Sequence, residues 1–285
     1  MTDYLTTGEL AGLLRIGERK VYDLAANGAV PCTRATGKLL FPREQVMAWL
    51  ARHSSGSDAA PPPDVFLGSH DPLLDWAIRE SRCGIAALFD SSADGLQRFA
   101  ARQGIATGLH VPGVNGWNVD AVRETCGAAP AVLTGWAKRT RGLILGRRTS
   151  DIHGLANLAG LRIAMRQPEA GAQKFLMSEM SKAGLTEADV VAVGPVRSEI
   201  EAVLLVQEGK ADAAFGLESL AVQFRLPFLA VAAEEFDLLV DRRAWFEPPL
   251  RTLFDFTTGK AFRERAAGLA GCDVSELGRI RYNGP

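Results

Sequence analysis

Apolar and polar positions follow two different rhythms along this chain. Up to about residue 50 the apolar positions recur at helical spacing in short stretches: Leu10, Leu13 and Leu14, then Val21 and Leu24, then Val46, Trp49 and Leu50. Thr7 is placed to cap the first helix and Gly17 to turn the chain after it. The second helix is expected over residues 18–26, ended by Gly28, and the third is expected to start at Pro42. Between them Thr33-Arg34 and Lys38-Leu39-Leu40 flank a turn at Thr36-Gly37, which predicts a two-stranded hairpin. Residues 54–64, Ser-Ser-Gly-Ser-Asp-Ala-Ala-Pro-Pro-Pro-Asp, are small, polar and proline-rich and read as a linker.

From residue 65 the rhythm changes. Short apolar runs at residues 65–68, 84–89, 143–145, 161–164, 190–193, 213–215 and 236–240 predict strands, and residues 71–81 and 93–103 have helical spacing. Strands and helices in alternation predict an α/β fold with parallel strands. The expected division is 1–53, a linker at 54–64, and 65–285, with no internal repeat.

Composition narrows the class. The hydrophobic share is 47% and the mean hydropathy is +0.03, as in a soluble globular protein. No apolar run approaches the ~20 residues that span a bilayer. The start, Met1-Thr2-Asp3-Tyr4, lacks a signal-peptide pattern, so a cytoplasmic location and no membrane partner are expected. Cys32, Cys83, Cys126 and Cys272 form no CxxC pair, and neither a metal site nor a disulfide framework is expected. Net charge is −1, but residues 1–53 hold seven Lys/Arg against five acids, a net +2 that leaves −3 for the remainder. The positive excess lies where a DNA reader needs it.

Glu18, Arg19, Lys20 and Tyr22 stand near the start of the second helix, where a recognition helix meets a major groove. Arg15 precedes them, and Arg34 and Lys38 put two cations on the hairpin. The opening Tyr4-Leu5-Thr6, the helix Arg19-Lys20-Val21-Tyr22-Asp23-Leu24, Gly28 followed by Val30-Pro31, and Phe41-Pro42-Arg43 closing the hairpin form a familiar order. This stretch resembles the excisionase-type, MerR-like winged helix-turn-helix family. The resemblance implies that helix and wing contact double-stranded DNA; the competing reading is a solvated helix and hairpin. Arg19 and Lys20 suit phosphate or a base edge equally.

The remainder resembles periplasmic-binding-protein-like domains related to molybdate-binding proteins. The likeness rests on Gly68-Ser69-His70-Asp71-Pro72-Leu73-Leu74, Phe89-Asp90-Ser91-Ser92-Ala93-Asp94-Gly95-Leu96, Gly108-Leu109-His110 and Asn118-Val119. It continues in Arg166-Gln167-Pro168-Glu169-Ala170-Gly171 and Gly209-Lys210-Ala211-Asp212-Ala213-Ala214-Phe215-Gly216. The resemblance implies a two-lobed type 2 periplasmic-binding-protein-like domain with crossing strands and a ligand between the lobes. The first lobe would take residues 65–110 plus the C-terminal stretch, the second 115–235. Ser69 and Ser91-Ser92 follow predicted strands and precede helices, where open α/β sheets bind ligands. The candidate ligand residues are Ser69, His70, Ser91, Ser92, Arg166, Gln167, Gly171, Ala172, Gln173 and Ser198, with no cofactor beyond an oxyanion such as molybdate or tungstate.

Other roles fit several of these residues. Ser69 and Ser91 suit helix N-caps, Arg166 suits a pair with Glu169 or Asp212, and His110 suits a structural place where the chain crosses between lobes. Trp117, Trp136 and Trp245 read as packing residues. The chain also departs from the family. Glu169 stands where the second-lobe loop has glycine, Gln173 where a hydroxyl residue is common, and Ser198-Glu199 where Thr-His is frequent. Acids there oppose an oxyanion by like charge, which favours an organic ligand with a donor for Glu169 or Glu199, or a site that no longer binds.

The nucleotide-binding signatures, HExxH and GxSxG are all absent, and Ser69, His70 and Asp71 are too close in sequence to converge as a triad. No enzymatic activity is expected. The composite reading is a one-component transcription regulator, a homodimer on paired half-sites, with a small-molecule or oxyanion effector. The alternative is a ligand-independent architectural or recombination-accessory protein.

Overall fold

The computed structural model of the chain describes residues 4–35, 37–53, 61–114, 116–147, 149 and 152–285. The chain divides into two units, Met1–Pro61 and Pro62–Pro285. Thr36 of the expected turn and residues 54–60 of the expected linker lie outside the described residues.

The first unit runs β1 (Tyr4–Leu5), α1 (Thr7–Leu14), α2 (Glu18–Ala26), β2 (Thr33–Ala35), β3 (Lys38–Pro42) and α3 (Arg43–His53). The cap of α1 is Thr6 rather than Thr7. Thr6 Oγ1 accepts from the Glu9 amide at 3.3 Å, and Glu9 Oε2 accepts from the Thr6 amide at 2.8 Å. The reciprocal box needs an acid three residues on, and Glu9 supplies it only to Thr6. Gly17 has an ordinary φ of −70°; the left-handed residue after α1 is Arg15, at φ 51°. Gly28 does end α2 in left-handed backbone, at φ 65°. Antiparallel β1 and β2 flank β3. Leu10, Val21, Phe41 and Val46 are fully buried between the sheet and the helices.

The second unit begins with β4 (Val65–Ser69), α4 (Pro72–Ser81), β5 (Ala86–Asp90), α5 (Ser92–Ala100) and β6 (Ala106–Leu109). A small hairpin, β7 (Pro112–Gly113) and β8 (Gly116–Trp117), precedes α6 (Val119–Cys126) and the long β9 (Ala131–Leu145). Then come β10 (Arg162–Arg166), α7 (Gly171–Lys182), β11 (Val191–Val196), α8 (Glu199–Gln207), β12 (Ala213–Leu217), α9 (Glu218–Phe224) and the long β13 (Phe228–Asp241). The chain closes with α10 (Pro248–Thr257), α11 (Lys260–Ala267), β14 (Cys272–Asp273) and β15 (Ile280–Asn283).

One sheet runs β11-β10-β12-β9-β13-β6-β4-β5. Antiparallel β9 and β13 belong to both lobes. The late residues of β9 pair with β12, while its early residues pair with β14 and β15. The late residues of β13 pair with β6. The register of β13 on β9 slips twice, between Ala230 and Ala232 and between Phe236 and Asp237. Alternate strand residues feed opposite faces of each lobe. In the first lobe Phe66, Leu238 and Val240 pack with α4, α10 and α11, and Leu67 and Leu239 with α5 and α6. In the second, Ile163 and Phe215 pack with α7, and Ala164 and Ala214 with α8 and α9. A Cβ on Gly95 would come within 2.3 Å of the Gly68 Cα, so α5 rests directly on β4.

Two expected boundaries need correction. Val122 and Cys126 of α6 share a core with Leu96, Phe99 and Leu133, so α6 belongs to the first lobe although it follows residue 115. His110 is not a crossing residue: the chain crosses at β9 and returns at β13.

Candidate functional site

In the first unit Arg15, Glu18, Arg19, Lys20, Tyr22, Arg34 and Lys38 are all exposed. Val21 and Ala25 turn inward, which leaves the cations of α2 on its outer face, and Tyr22 is 53% exposed. The Glu18 carboxylate lies against α1, where a Cβ on Gly8 would meet its Oε1 at 3.1 Å. Arg34 and Lys38 stand on β2 and β3, whose antiparallel register pairs Arg34 with Leu39 and Ala35 with Lys38.

In the second unit a cleft of about 680 Å³ opens between the lobes, within the roughly 300–1,000 Å³ usual for small-molecule sites. The starts of five helices line it. The first lobe brings Ser69, His70 and Pro72 at α4, Asp90 and Ser91 at α5, and His110. The second brings Arg166 and Gln167, then Ala170, Gly171 and Ala172 at α7, Arg197 to Ile200 at α8, and Leu217 and Leu220 at α9. Helix starts present unpaired N–H groups and a partial positive charge. Ala170, before α7, offers its helix no side-chain cap. Gly171 is needed there because a Cβ would sit 2.9 Å from His110 Cε1.

Individual side chains divide between lining the cleft and building it. Ser91 does both: it lines the cleft and caps α5, its Oγ accepting from the Asp94 amide at 3.1 Å. Ser198 caps α8 in the same way through the Glu201 amide. Ser69 caps nothing, because Asp71 caps α4; its Oγ lies 2.8 Å from Ser92 Oγ. Ser92 is buried, accepts from the His110 amide at 3.1 Å, and does not line the cleft. Gln173 also turns away: its Oε1 accepts from the Arg166 amide at 2.8 Å and its Nε2 approaches Met165 Sδ. His70 is half-exposed, 3.7 Å from Asp75. Arg166 pairs with neither Glu169 nor Asp212; its Nη2 donates to the Arg197 carbonyl at 2.7 Å, and Asp212 is held by Arg162. Burial lowers the Arg166 pKa while Glu199 opposes the shift, and the group remains a cation at neutral pH.

Beneath the cleft a chain of buried ion pairs runs from one lobe to the other. Asp71 of the first lobe accepts from Arg139 Nη1 and Trp136 Nε1, both at 3.0 Å. Arg139 also donates to Glu234 Oε1. Arg141 donates to both Glu234 oxygens at 2.8 Å, and its Nη1 reaches Glu199 of the second lobe at 2.8 Å. Glu234 is fully buried, yet Arg139 and Arg141 hold its carboxyl well below the usual range against the penalty of burial. Burial likewise opposes the charge of Glu199, and Arg141 outweighs it. Burial lowers the His110 pKa, with Glu234 opposing; His110 Nδ1 lies 3.1 Å from Glu234 Oε2 but off the hydrogen-bonding direction.

Arg139, Arg141 and Glu234 were absent from the sequence candidates, as were Asp90 and Arg197, whereas Glu199 stood out there as an acid at the site. A signal existed: Arg139 and Arg141 are two apart, so on a strand they share a face. Their acidic partner, Glu234, lies directly opposite Arg139 in the ladder, a pairing that only the register supplies. Among the described residues no group of three His, Cys, Asp or Glu is placed to hold a metal ion, and no helix is long and apolar enough to cross a membrane.

Comparisons with known proteins agree with both units. Residues 4–54 match the helix-turn-helix domain family. The chain is 22% identical to the uncharacterized protein YvgK of Bacillus subtilis (strain 168), over 98% of each. It is 29% identical to an uncharacterized protein in the ferredoxin 2Fe-2S gene 5′ region of Clostridium pasteurianum, over 29% of this chain and 74% of that one. Among solved structures it is similar in fold to PhnD1 from Prochlorococcus marinus (MIT 9301) in complex with methylphosphonate, with TM-score 0.50, 11% identity, and 74% and 92% of the two chains covered. Residues 76–258 match the PBP superfamily domain, well over half of the sequence, and by that match the chain belongs to the PBP superfamily domain family.

Proposed function

We propose that this chain is a ligand-responsive, non-enzymatic transcription regulator, acting in the cytoplasm as a homodimer. Its helix-turn-helix unit reads duplex DNA in the manner of excisionase and MerR-like proteins, and its two-lobed unit binds a small ligand through an anionic oxygen group. The observation that carries the reading is the cleft. Ser69, Ser91, Ser198, Arg166 and the uncapped start of α7 turn donors into one space, on the same chain as a helix-turn-helix domain. Molybdate and tungstate are the simplest anions of this kind, and methylphosphonate, bound by PhnD1, is another. Ligand capture alters the relation of the lobes, and in a dimer that changes the spacing of two DNA modules.

The test uses the whole purified chain. A preferred duplex is selected from a random pool, and its affinity is measured with and without a compound shown by thermal shift to bind, from a set of molybdate, tungstate, phosphate, phosphonates and small organic acids. A native-state ligand at ~100 times its dissociation constant adds about 2.7 kcal/mol, enough to detect easily. A regulator gives a selected duplex with two half-sites and a several-fold change in affinity when the compound is added. Unchanged affinity with a compound that demonstrably binds favours the ligand-independent accessory role.

A further inference from the structure

We infer that the ligand is a zwitterion: a small molecule with an anionic oxygen group and a cationic amino group separated by a short spacer. The inference rests on the cleft as the ligand site and adds the second charge.

Charge is the first observation. At the surface of the cleft Arg166 and Arg197 are matched by Asp90 and Glu199. Directly beneath, Arg139 and Arg141 are matched by Asp71 and Glu234. The site is therefore balanced before any ligand arrives. A bare dianion shut into it brings two unmatched charges out of water, whereas a zwitterion leaves the balance as it was.

Two orphaned atoms of opposite character are the second observation. Arg166 Nε has no acceptor and Glu199 Oε2 has no donor, and both are closed off from solvent. Arg166 uses Nη2 on the Arg197 carbonyl, and Glu199 uses Oε1 on Arg141. Buried polar atoms without partners are rare, and two on residues that line one wall of the cleft give ligand groups a donor and an acceptor to complete as these side chains turn into it. An oxyanion alone satisfies Arg166 and repels Glu199. A molecule carrying an ammonium beside its anionic group satisfies both. Asp90, exposed on the opposite wall at the end of β5, gives the same ammonium a second carboxylate.

The test is calorimetric titration of the full chain with matched pairs that differ in the amino group: 2-aminoethylphosphonate with ethylphosphonate, taurine with ethanesulfonate, and β-alanine with propionate. Molybdate is titrated alongside. In at least one pair the amino member should bind tenfold or more tightly than its partner, about 1.4 kcal/mol. Glu199→Gln should reduce that preference below threefold. Asp90→Asn, on the exposed wall and outside the buried network, carries the same comparison should Glu199→Gln fail to fold. Amine-free members or molybdate binding as tightly as the amino members would overturn the zwitterion and leave an anion-binding cleft intact. No binding by any of these compounds would remove the cleft reading as well.

Discussion

Replacing Glu234 by glutamine probes the buried network at its centre. Glu234 is wholly enclosed and takes bonds from Arg139 and from two nitrogens of Arg141. The amide keeps the shape and one acceptor oxygen but loses the charge and turns a donor towards the guanidinium groups. Removing one partner from a buried ion pair costs about 3–5 kcal/mol. Arg139 keeps Asp71 and Arg141 keeps Glu199, so the lower end applies, about 3 kcal/mol. In a unit the size of Pro62–Pro285, each kcal/mol moves Tm by roughly 2–4 °C, which gives a fall of roughly 6–12 °C at pH 7. Calorimetry or near-ultraviolet circular dichroism reads it. The pH dependence checks the cause. The Glu234 pKa is depressed in the fold, so its contribution is complete above the unfolded value near 4.5 and is lost as pH falls through the folded value. The gap between wild type and variant should therefore narrow in acid. A Tm loss under about 2 °C at pH 7, or a gap that persists to low pH, would refute the electrostatic account.

Four further outcomes follow from the same structure. Thr6→Ala removes half of the capping box and should cost about 1 kcal/mol, seen as faster amide exchange in α1. Gly95→Ala drives a Cβ to 2.3 Å from Gly68 Cα and from Thr107 Oγ1, and overpacking of this kind costs about 1–3 kcal/mol or more by chemical denaturation. His110 is held neutral by burial against the pull of Glu234, while Arg139 and Arg141 also disfavour its charge. As pH falls below 6.5 the unfolded chain binds a proton that the fold refuses, so wild type should lose stability relative to His110→Gln at up to about 1.36 kcal/mol per pH unit. Taking the difference between the two proteins cancels Asp237, which burial pushes up to about 6 and whose protonation works in the opposite direction. Arg19→Ala should weaken duplex binding across all sequences and lower the slope of log affinity against log salt by about 0.9; an unchanged affinity would exclude Arg19 from the DNA face.

The first unit was nearly legible in sequence because its signals are local. Helical spacing, Gly28 and the hairpin all depend on residues a few positions apart. The errors were local too: two adjacent threonines competed for one cap, and Arg15 took the left-handed turn assigned to Gly17. In the second unit the short parallel strands announced themselves as apolar runs. The crossing strands did not. Only Leu143-Ile144-Leu145 of β9 and the last part of β13 were visible, because Lys138, Arg139, Thr140 and Arg141 look like solvated chain. The two arginines can lie in a buried strand because Glu234 and Asp71, distant in sequence, neutralise their charges inside the fold. The cleft was read best where a hydroxyl follows a strand, as at Ser69 and Ser91. It was read worst at Ser92 and Gln173, whose polar atoms are taken up by neighbours that only the folded chain brings near.

Joining the lobes by β9 and β13 makes the hinge of this domain a hydrogen-bonded ladder. Each strand is about 50 Å long, and the pair is bonded along nearly all of its length. Rotation of one lobe against the other has no loop to absorb it and must appear as twist in these two strands. The irregularities at Ala230 and at Phe236 are where a ladder yields first, and Glu234 stands between them. The segment of ladder best placed to yield is thus the same one that carries the central carboxylate of the buried charge network.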